Sequence, residues 1–183
     1  MGESLGEWDQ FEAVYRASYM PVLRFVRRRL PPQLAEDAAA ETFVIAWQRR
    51  GDQRGEALPW LYGIARLVAA NMRRTQERAS QLEGRLQDQI RDDVMPAAEA
   101  QALERVRAVR ALAEMSDRDR EVLMLVSWDG LEPPVAARVM GCSRGAFLVR
   151  LHRARRRLER AIADDSSRVV AGTTSALPEG GLG

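Results

Sequence analysis

Residues 141–162 read GCSRGAFLVRLHRARRRLERAI, and their spacing predicts an amphipathic helix that follows a tight turn. At 100° per residue, one narrow arc that must face a core holds Phe147, Leu151, Ala154 and Leu158. Ser143 is a good N-cap for this helix, and a short helix through residues 135–140 precedes the turn. A short helix, a glycine-containing turn and a longer basic helix together predict a helix-turn-helix, whose last element enters the DNA major groove.

The first half of the chain also has helical spacing, and strand signals are nearly absent. Apolar residues recur at helical intervals over 11–26, where Pro21 is placed to start a second helix. A third helix is predicted over 34–50, a polar loop over 51–56 and a fourth helix over 59–78. This fourth helix is expected to bury Trp60, Leu61, Ile64, Leu67 and Val68.

The second half begins with weaker patterns and then becomes helical again. The spacing of Ser116 and Asp119 resembles a capping box at the start of a helix. Small, polar and Gly-rich residues predict a disordered tail from 164 to 183. The sequence therefore predicts an all-α protein with two small helical domains, 1–78 and 99–163, joined by an acidic linker, 79–98.

Charge is distributed unevenly along the chain. The 28 cationic residues are all Arg and face 26 acidic residues, for a net charge of +2. Residues 144–160 hold seven Arg and one Glu, and residues 66–78 hold four Arg and one Glu, whereas residues 83–104 hold six acids and two Arg. Two basic blocks around an acidic segment suggest two anion-binding surfaces, with nucleic acid as the obvious ligand. The alternative for each block is a solvated helix face.

Composition argues against several classes of protein. Cys142 is the one cysteine and His152 the one histidine, so neither an intramolecular disulfide nor a thiolate-rich zinc site is expected. The sequence offers no Gly-rich phosphate loop and no cluster of metal ligands, which predicts a protein that is not an enzyme and needs no cofactor or metal. It shows no signal peptide or membrane-spanning run, so we expect a cytoplasmic protein without membrane insertion.

Segments from both halves of the chain resemble the extracytoplasmic-function sigma factors of RNA polymerase. Residues 34–47, LAEDAAAETFVIAW, resemble the family's polymerase-binding helix, and residues 59–66, PWLYGIAR, resemble its promoter-melting helix. Residues 116–123, SDRDREVL, and 141–155, GCSRGAFLVRLHRAR, resemble its carboxyl-terminal DNA-reading domain. The motifs occur in the family's order at the family's separations.

The resemblance implies a transcription initiation factor that binds core RNA polymerase, directs it to promoter DNA and assists promoter melting. For many members a further partner is an anti-sigma factor. The residues expected to bind core polymerase are Asp37, Glu41 and Gln48. Asp37 and Glu41 lie four residues apart and form an acidic edge of the predicted helix. This edge is either a solvated helix face or a surface that docks on polymerase. The resemblance to the family favours docking.

The resemblance also implies two DNA-binding surfaces. For the melted −10 element the expected residues are Arg54, Gly55, Arg66, Asn71, Arg73 and Arg74. Family members often carry Asn where Leu67 stands, which affects −10 recognition. Trp60 is expected to belong to the core rather than to stack on a base. The acidic linker has two possible roles, as a mimic of nucleic acid inside the polymerase or as a spacer.

For the −35 element the expected contacts come from the final helix. They are Ser143, Arg144, Ala146, Val149, Arg150, Arg153 and Arg156. Val149 either contacts a thymine methyl group in the groove or packs on a neighbouring helix. The main alternative to a sigma factor is a stand-alone helix-turn-helix regulator that binds a palindromic operator as a dimer. This alternative gives the first domain no function.

Overall fold

The computed structural model describes residues 3–82, 108, 110–112 and 114–174. The helices are α1 (Glu3–Arg27), α2 (Pro32–Gln48), α3 (Ala57–Leu82), α4 (Asp117–Ser127), α5 (Pro133–Val139) and α6 (Arg144–Thr174), with a 3-10 turn at Arg50–Asp52 before α3. No β-strand occurs in these ranges, and the predicted all-α class is confirmed. Among the described helices, none has both the length and the apolar character that a bilayer crossing requires.

Contacts divide the chain into two compact units. Unit 1 consists of Met1–Arg91 together with Leu131–Arg144, and unit 2 of Asp92–Gly130 together with Gly145–Gly183. Helix α5 therefore groups with unit 1, whereas the sequence predicts it in the second domain. One reason is that Arg66 Nε of α3 donates a hydrogen bond to Val139 O at 3.3 Å. The predicted linker lies outside the described residues, except that 79–82 continue α3.

The core of unit 1 forms where α1, α2 and α3 pack together. Helix α2 contributes small side chains, so its backbone approaches its neighbours closely, and its buried residues include Ala35, Ala38, Ala39 and Ala46. Thr42 is also buried, and its hydroxyl donates to the Ala38 carbonyl at 2.7 Å. Phe25 of α1 and Tyr62 of α3 stack with ring centroids 4.4 Å apart. These contacts leave the opposite face of α2 open to solvent.

Pro21 does not start a second helix as predicted, because it lies inside the continuous helix α1. A proline within a helix removes one backbone hydrogen bond and normally bends or ends the helix. Here Val22, Leu23, Phe25 and Val26 directly after Pro21 are all buried. The burial of these four side chains offsets the free-energy cost of the lost hydrogen bond.

Unit 2 contains α4 and nearly all of α6. Its buried side chains include Val122 and Leu125 on α4. On α6, Phe147, Leu151 and Ala154 of the predicted arc are buried, whereas Leu158 is partly buried. Ser116 is the N-cap of α4, since its Oγ accepts from the Asp119 backbone N–H at 3.3 Å. The Asp119 carboxylate forms an ion pair with Arg157 of α6. The helix start is therefore capped by Ser116, while the Asp119 side chain joins two helices.

The turn between α5 and α6 depends on Gly141. Its φ of 63° is a left-handed conformation that residues with a Cβ rarely adopt. The Gly141 N–H donates to Arg138 O and the Cys142 N–H to Ala137 O, both at 3.0 Å, which is the hydrogen-bond pattern of a Schellman motif. This motif ends α5 and lets α6 begin three residues later.

The predicted disordered tail is wrong for its first part, because α6 continues to Thr174. Residues 164–171 contain no Pro or Gly, and the first Pro after the helix is Pro178. Small polar residues lower helix propensity only slightly, so a helix that is already formed propagates through them. Residues 175–183 lie outside the described residues.

Candidate functional site

The exposed face of α2 brings together the residues predicted to bind polymerase. Asp37, Glu41 and Gln48 are all exposed, and their spacing places them within an arc of about 40° around the helix. The opposite side of α2 packs into unit 1. Two carboxylates and an amide on one rigid face can bind cationic and hydrogen-bonding groups of a partner.

Val44 lies between Glu41 and Gln48 along this face and is not among the residues predicted to bind polymerase. Its side chain is 56% exposed, although burial would be favourable for an apolar residue. It stands three residues after Glu41 and four before Gln48, so helical spacing alone places it beside them. The α2 face, as named from here on, consists of Asp37, Glu41, Val44 and Gln48.

The two aromatic residues of α2 face away from this surface. Phe43 is buried, and Trp47 is partly buried. The Tyr15 ring of α1 meets Phe43 edge-on at 4.8 Å, and the Trp8 ring stacks on Trp47 at 4.2 Å. The α2 face is therefore fixed from behind by aromatic packing on α1.

The predicted −10 loop is stabilised by its own side chains. Arg54 is exposed, and its Nη1 donates to the carbonyls of Gly51 and Gln53 at 3.0 and 3.2 Å. Gln53 Nε2 donates to the Gly55 carbonyl at 3.2 Å. Gly55 has a φ of 75°, which its lack of a Cβ allows. The result is a compact loop directly before α3.

One stripe of α3 is exposed and contains two of the predicted −10 residues. Asn71 and Arg74 follow Leu67 at four and seven residues, and all three are exposed. Helical spacing predicts that Leu67 is buried, and this prediction is wrong, because the side chain is 56% exposed. Ile64, Ala65, Val68 and Ala69 fill the core side of α3, and Leu67 lies away from them.

Two other predicted arginines of α3 already make contacts within the chain. Arg66 is half-buried and donates from Nε to the Val139 carbonyl. Arg73 Nε lies 3.4 Å from Glu77 Oε1, one turn further along α3. Of the predicted −10 arginines on α3, Arg74 is the one with an exposed side chain.

The first turns of α6 present most of the predicted −35 residues to solvent. Ser143, Arg144, Arg153 and Arg156 are exposed, and Ala146 is partly buried. Val149 is half-exposed together with its neighbour Leu148, which favours the outward orientation over packing on another helix. Arg150 is half-buried, and its Nη1 is buried without a hydrogen-bond partner in the described part of the chain.

These surfaces carry groups that suit the binding of charged partners. They carry carboxylates, amides, guanidinium groups and exposed aliphatic side chains. In the described ranges, no group of three or more His, Cys, Asp or Glu side chains is arranged to hold a metal ion. Carboxylates suit a basic protein surface, and guanidinium groups suit phosphates.

Comparison with known proteins identifies the family. Residues 14–79 match Sigma-70 region 2, and residues 105–158 match Sigma-70 region 4. The chain is 31% identical over 153 residues to a probable RNA polymerase sigma-C factor of Mycobacterium bovis, with 82% of each protein covered. The chain belongs to the extracytoplasmic-function family of RNA polymerase sigma factors. The resemblance read from the sequence is thereby confirmed, and with it the function in promoter-specific initiation of transcription.

A second relative agrees with this assignment, and two solved structures share the fold. The sigma factor is 30% identical over 167 residues to the RNA polymerase sigma-E factor of Streptomyces coelicolor, covering 88% of this chain and 91% of that one. Its fold is similar to that of RpoE in complex with the anti-sigma factor NepR from Bartonella quintana, with a TM-score of 0.61, 23% identity and coverage of 84% and 97%. It is also similar to CnrH in complex with the cytosolic domain of CnrY, with a TM-score of 0.58, 24% identity and coverage of 85% and 88%.

The matched ranges contain the surfaces described above. The region 2 match includes the α2 face, the loop of residues 51–56 and the exposed stripe of α3. The region 4 match includes α4, α5 and the first half of α6. Each predicted contact residue of this sigma factor therefore lies in a matched region.

Proposed function

We propose that this sigma factor binds core RNA polymerase through the α2 face and binds promoter DNA through α3 and α6. In this proposal, residues 1–78 and 99–163 are the two functional domains, and residues 79–98 connect them. The observation that carries the proposal is the exposure of Asp37, Glu41 and Gln48 on one rigid face within the region 2 match.

Docking through the α2 face is supported by its composition. Asp37 and Glu41 supply negative charge, and Val44 supplies an apolar centre that loses contact with water when a partner covers it. Interfaces typically combine an apolar centre with a polar rim. A partner that fits this face presents cationic side chains around an apolar notch.

We further propose that the loop of residues 51–56 and the exposed stripe of α3 capture the melted −10 element. Unstacking a base costs a few kcal/mol, and a protein offsets this cost by holding the extruded base and the strand backbone. Arg54 and Arg74 have exposed guanidinium groups for the backbone, and Asn71 offers hydrogen bonds to a base. Strand opening on this surface needs no covalent step, so we propose that the chain is not itself an enzyme.

Recognition of the −35 duplex is assigned to the start of α6. Arg144, Arg153 and Arg156 are exposed for phosphate contacts, and Val149 offers an apolar surface to a thymine methyl group. Arg150 has one buried nitrogen, so its contact with DNA uses the rest of the guanidinium group. Several Arg–phosphate contacts make such binding strongly dependent on salt.

An anti-sigma factor is proposed as a further partner. Two proteins of similar fold, RpoE and CnrH, are known in complexes with NepR and with the cytosolic domain of CnrY. We propose that a protein of this kind covers one of the exposed surfaces of this sigma factor and keeps it inactive. The proposed place of action is the cytoplasm, where core polymerase and promoter DNA meet.

Reconstitution tests this proposal. The full-length chain is mixed with core RNA polymerase and a genomic promoter library, and the 5′ ends of the transcripts are sequenced. Defined start sites that need both proteins are expected. Tight binding of the chain alone to a palindromic DNA, without polymerase-dependent transcripts, would instead select the stand-alone regulator.

A further inference from the structure

We propose that unit 2 of this sigma factor contains a binding site for a small ribonucleotide, in a cleft between α6 and the helical residues that precede α4. The cleft has a volume of about 250 Å³, and its lining residues are Arg110, Ala111, Glu114, Arg157, Arg160, Ala161 and Asp164. All of them belong to unit 2. Arg160, Ala161 and Asp164 lie beyond residue 158, where the match to region 4 ends. The cleft is therefore formed in part by residues outside the surfaces proposed above.

Two arginines, one on each wall of the cleft, have guanidinium groups available for an anion. Arg110 and Arg160 are both exposed, and within the described part of the chain neither has a hydrogen-bond or ion-pair partner. A guanidinium group binds a phosphate through paired, charge-assisted hydrogen bonds. Two such groups at one cleft therefore favour a ligand that carries a phosphate.

Two carboxylates line the same cleft without neutralising these arginines. Glu114 follows Arg110 by four residues and Asp164 follows Arg160 by four, which is the less favourable order for an ion pair along a helix. Among the described residues, neither arginine forms an ion pair with the acid that follows it. A carboxylate accepts hydrogen bonds, and ribose hydroxyls are the groups of a nucleotide that acidic side chains commonly bind. The combination fits a ribonucleotide better than an inorganic anion.

Two alanines supply the apolar part of the cleft. Ala111 is buried, at 3% exposure, and Ala161 is partly buried. Their methyl side chains fill little volume, so a gap remains between the two helices. Ligand sites typically combine an apolar surface with a few polar groups that orient the ligand. A sugar or a base is the part of a nucleotide that suits this surface.

Both walls of the cleft are held in place by α4. On the α6 side, Arg157 forms the ion pair with Asp119. On the other side, Arg120 Nε donates to the Leu112 carbonyl at 2.9 Å, and its Nη2 donates to the Met115 carbonyl at 3.2 Å. The cleft is thus formed before a ligand enters, which lowers the entropy cost of binding.

Promoter DNA is the other source of phosphate groups, because Arg160 lies one helical turn beyond Arg156, which is proposed to contact the −35 duplex. Two observations favour a free ribonucleotide over DNA. The carboxylates of Glu114 and Asp164 repel a continuous phosphate backbone. Deoxyribose also lacks the 2′-hydroxyl group that such a carboxylate can bind.

Calorimetric titration of the full-length chain tests the proposal. Adenosine diphosphate is titrated into wild type, into Arg110→Ala with Arg160→Ala, and into Arg155→Ala. Arg155 is a matched control because it is exposed on α6 and lies about 140° from Arg160. Wild type is expected to bind with a dissociation constant below about 1 mM, the double variant to bind at least about tenfold more weakly, and Arg155→Ala to bind as wild type.

Three outcomes of this titration would overturn the proposal. They are no binding by wild type, an equal loss in Arg155→Ala, and binding of pyrophosphate as tight as that of adenosine diphosphate. If adenosine diphosphate does not bind and the double variant instead loses affinity for a −35 promoter duplex, the cleft belongs to the DNA surface. The measurement uses the chain without polymerase, so its failure leaves the proposed function untouched.

The role of the carboxylates is tested with Glu114→Ala combined with Asp164→Ala. Wild type is expected to bind adenosine diphosphate about threefold more tightly than its 2′-deoxy form, as for one hydrogen bond. The variant should lose this preference and bind pyrophosphate more tightly than wild type does, because two negative charges are removed. A misfolded variant cannot produce tighter binding. An unchanged preference for the ribose form would refute the role of the carboxylates.

Photolabelling locates the ligand independently of the binding constants. The full-length chain is irradiated with 8-azidoadenosine diphosphate, and the labelled peptides are identified by mass spectrometry. Labels on the peptides that contain Ala111 and Ala161 are expected, with much less labelling in Arg110→Ala with Arg160→Ala. Labelling confined to other peptides would overturn the proposal.

Discussion

Arg156 and Arg157 are neighbours in α6, and their replacement by alanine is expected to affect different properties. Arg156 lies about 180° around the helix from the buried Phe147, so it belongs to the exposed side proposed to contact DNA phosphates. Arg157 lies about 80° from Phe147 and forms the ion pair with Asp119 of α4. The pair of substitutions therefore separates DNA binding from stability at adjacent positions.

The expected magnitudes follow from the two environments. Each phosphate contact contributes about 0.9 to the slope of log affinity against log salt concentration. Arg156→Ala should reduce the slope by about 0.9, so the loss of affinity between about 50 and 200 mM salt becomes about 3.5-fold smaller than in wild type. Because the Arg157 side chain is 61% exposed, its ion pair is screened, and Arg157→Ala should lower the free energy of unfolding by about 0.5 to 1 kcal/mol.

The assay uses the complete chain bound to core polymerase and a fluorescent duplex from a promoter found by start-site sequencing. Anisotropy is recorded over a series of salt concentrations, and urea unfolding of each free chain gives its stability. Equal slopes for Arg156→Ala and wild type would refute the assignment of this side of α6 to the DNA. A larger loss of slope for Arg157→Ala than for Arg156→Ala would show that the reading face is rotated toward α4.

Three further substitutions test other parts of the structure. Ser116→Ala removes the N-cap of α4 and should lower the free energy of unfolding by about 0.5 to 1 kcal/mol, since its cap bond is long; an unchanged urea midpoint would contradict the cap. Leu67→Asn places hydrogen-bonding groups on the exposed stripe of α3 and should change the bases selected from a library of randomised −10 elements, with a stability change of less than about 0.5 kcal/mol; an unchanged base preference would remove Leu67 from the reading surface. Asp37→Arg with Glu41→Arg should weaken polymerase binding by at least about tenfold in a pull-down titration, and full retention would exclude the α2 face as the docking site.

The periodicity of the sequence predicts which face of each helix is buried better than it predicts where a helix ends. Phe147, Leu151 and Ala154 follow the predicted arc because helical spacing is a local property of the chain. Pro21 lies inside α1 because buried neighbours outweigh a local helix-breaking preference. The sequence predicts the end of α6 near residue 162, about twelve residues before Thr174, because weakly helical residues resemble the end of an element.

The candidate surfaces were predicted where exposure follows from spacing, as for Asp37 and Glu41. Other features depend on how separate segments of the chain pack. Examples are the hydrogen bond from Arg66 to the Val139 carbonyl and the burial of one nitrogen of Arg150. Such tertiary contacts leave no signal in the spacing of one helix. Leu67 shows the same limit, since an apolar residue at helical spacing was expected to be buried and lies in solvent.

The length of α6 has a practical consequence for experiments on the intact initiation complex. At 1.5 Å per residue, its 31 residues span about 46 Å from Arg144 to Thr174. A dye or an affinity tag attached at Thr174 therefore lies well outside the major groove that Arg144 is proposed to enter. Because one continuous helix joins the two points, a small tilt of the end proposed to read DNA moves a label at Thr174 by a larger distance.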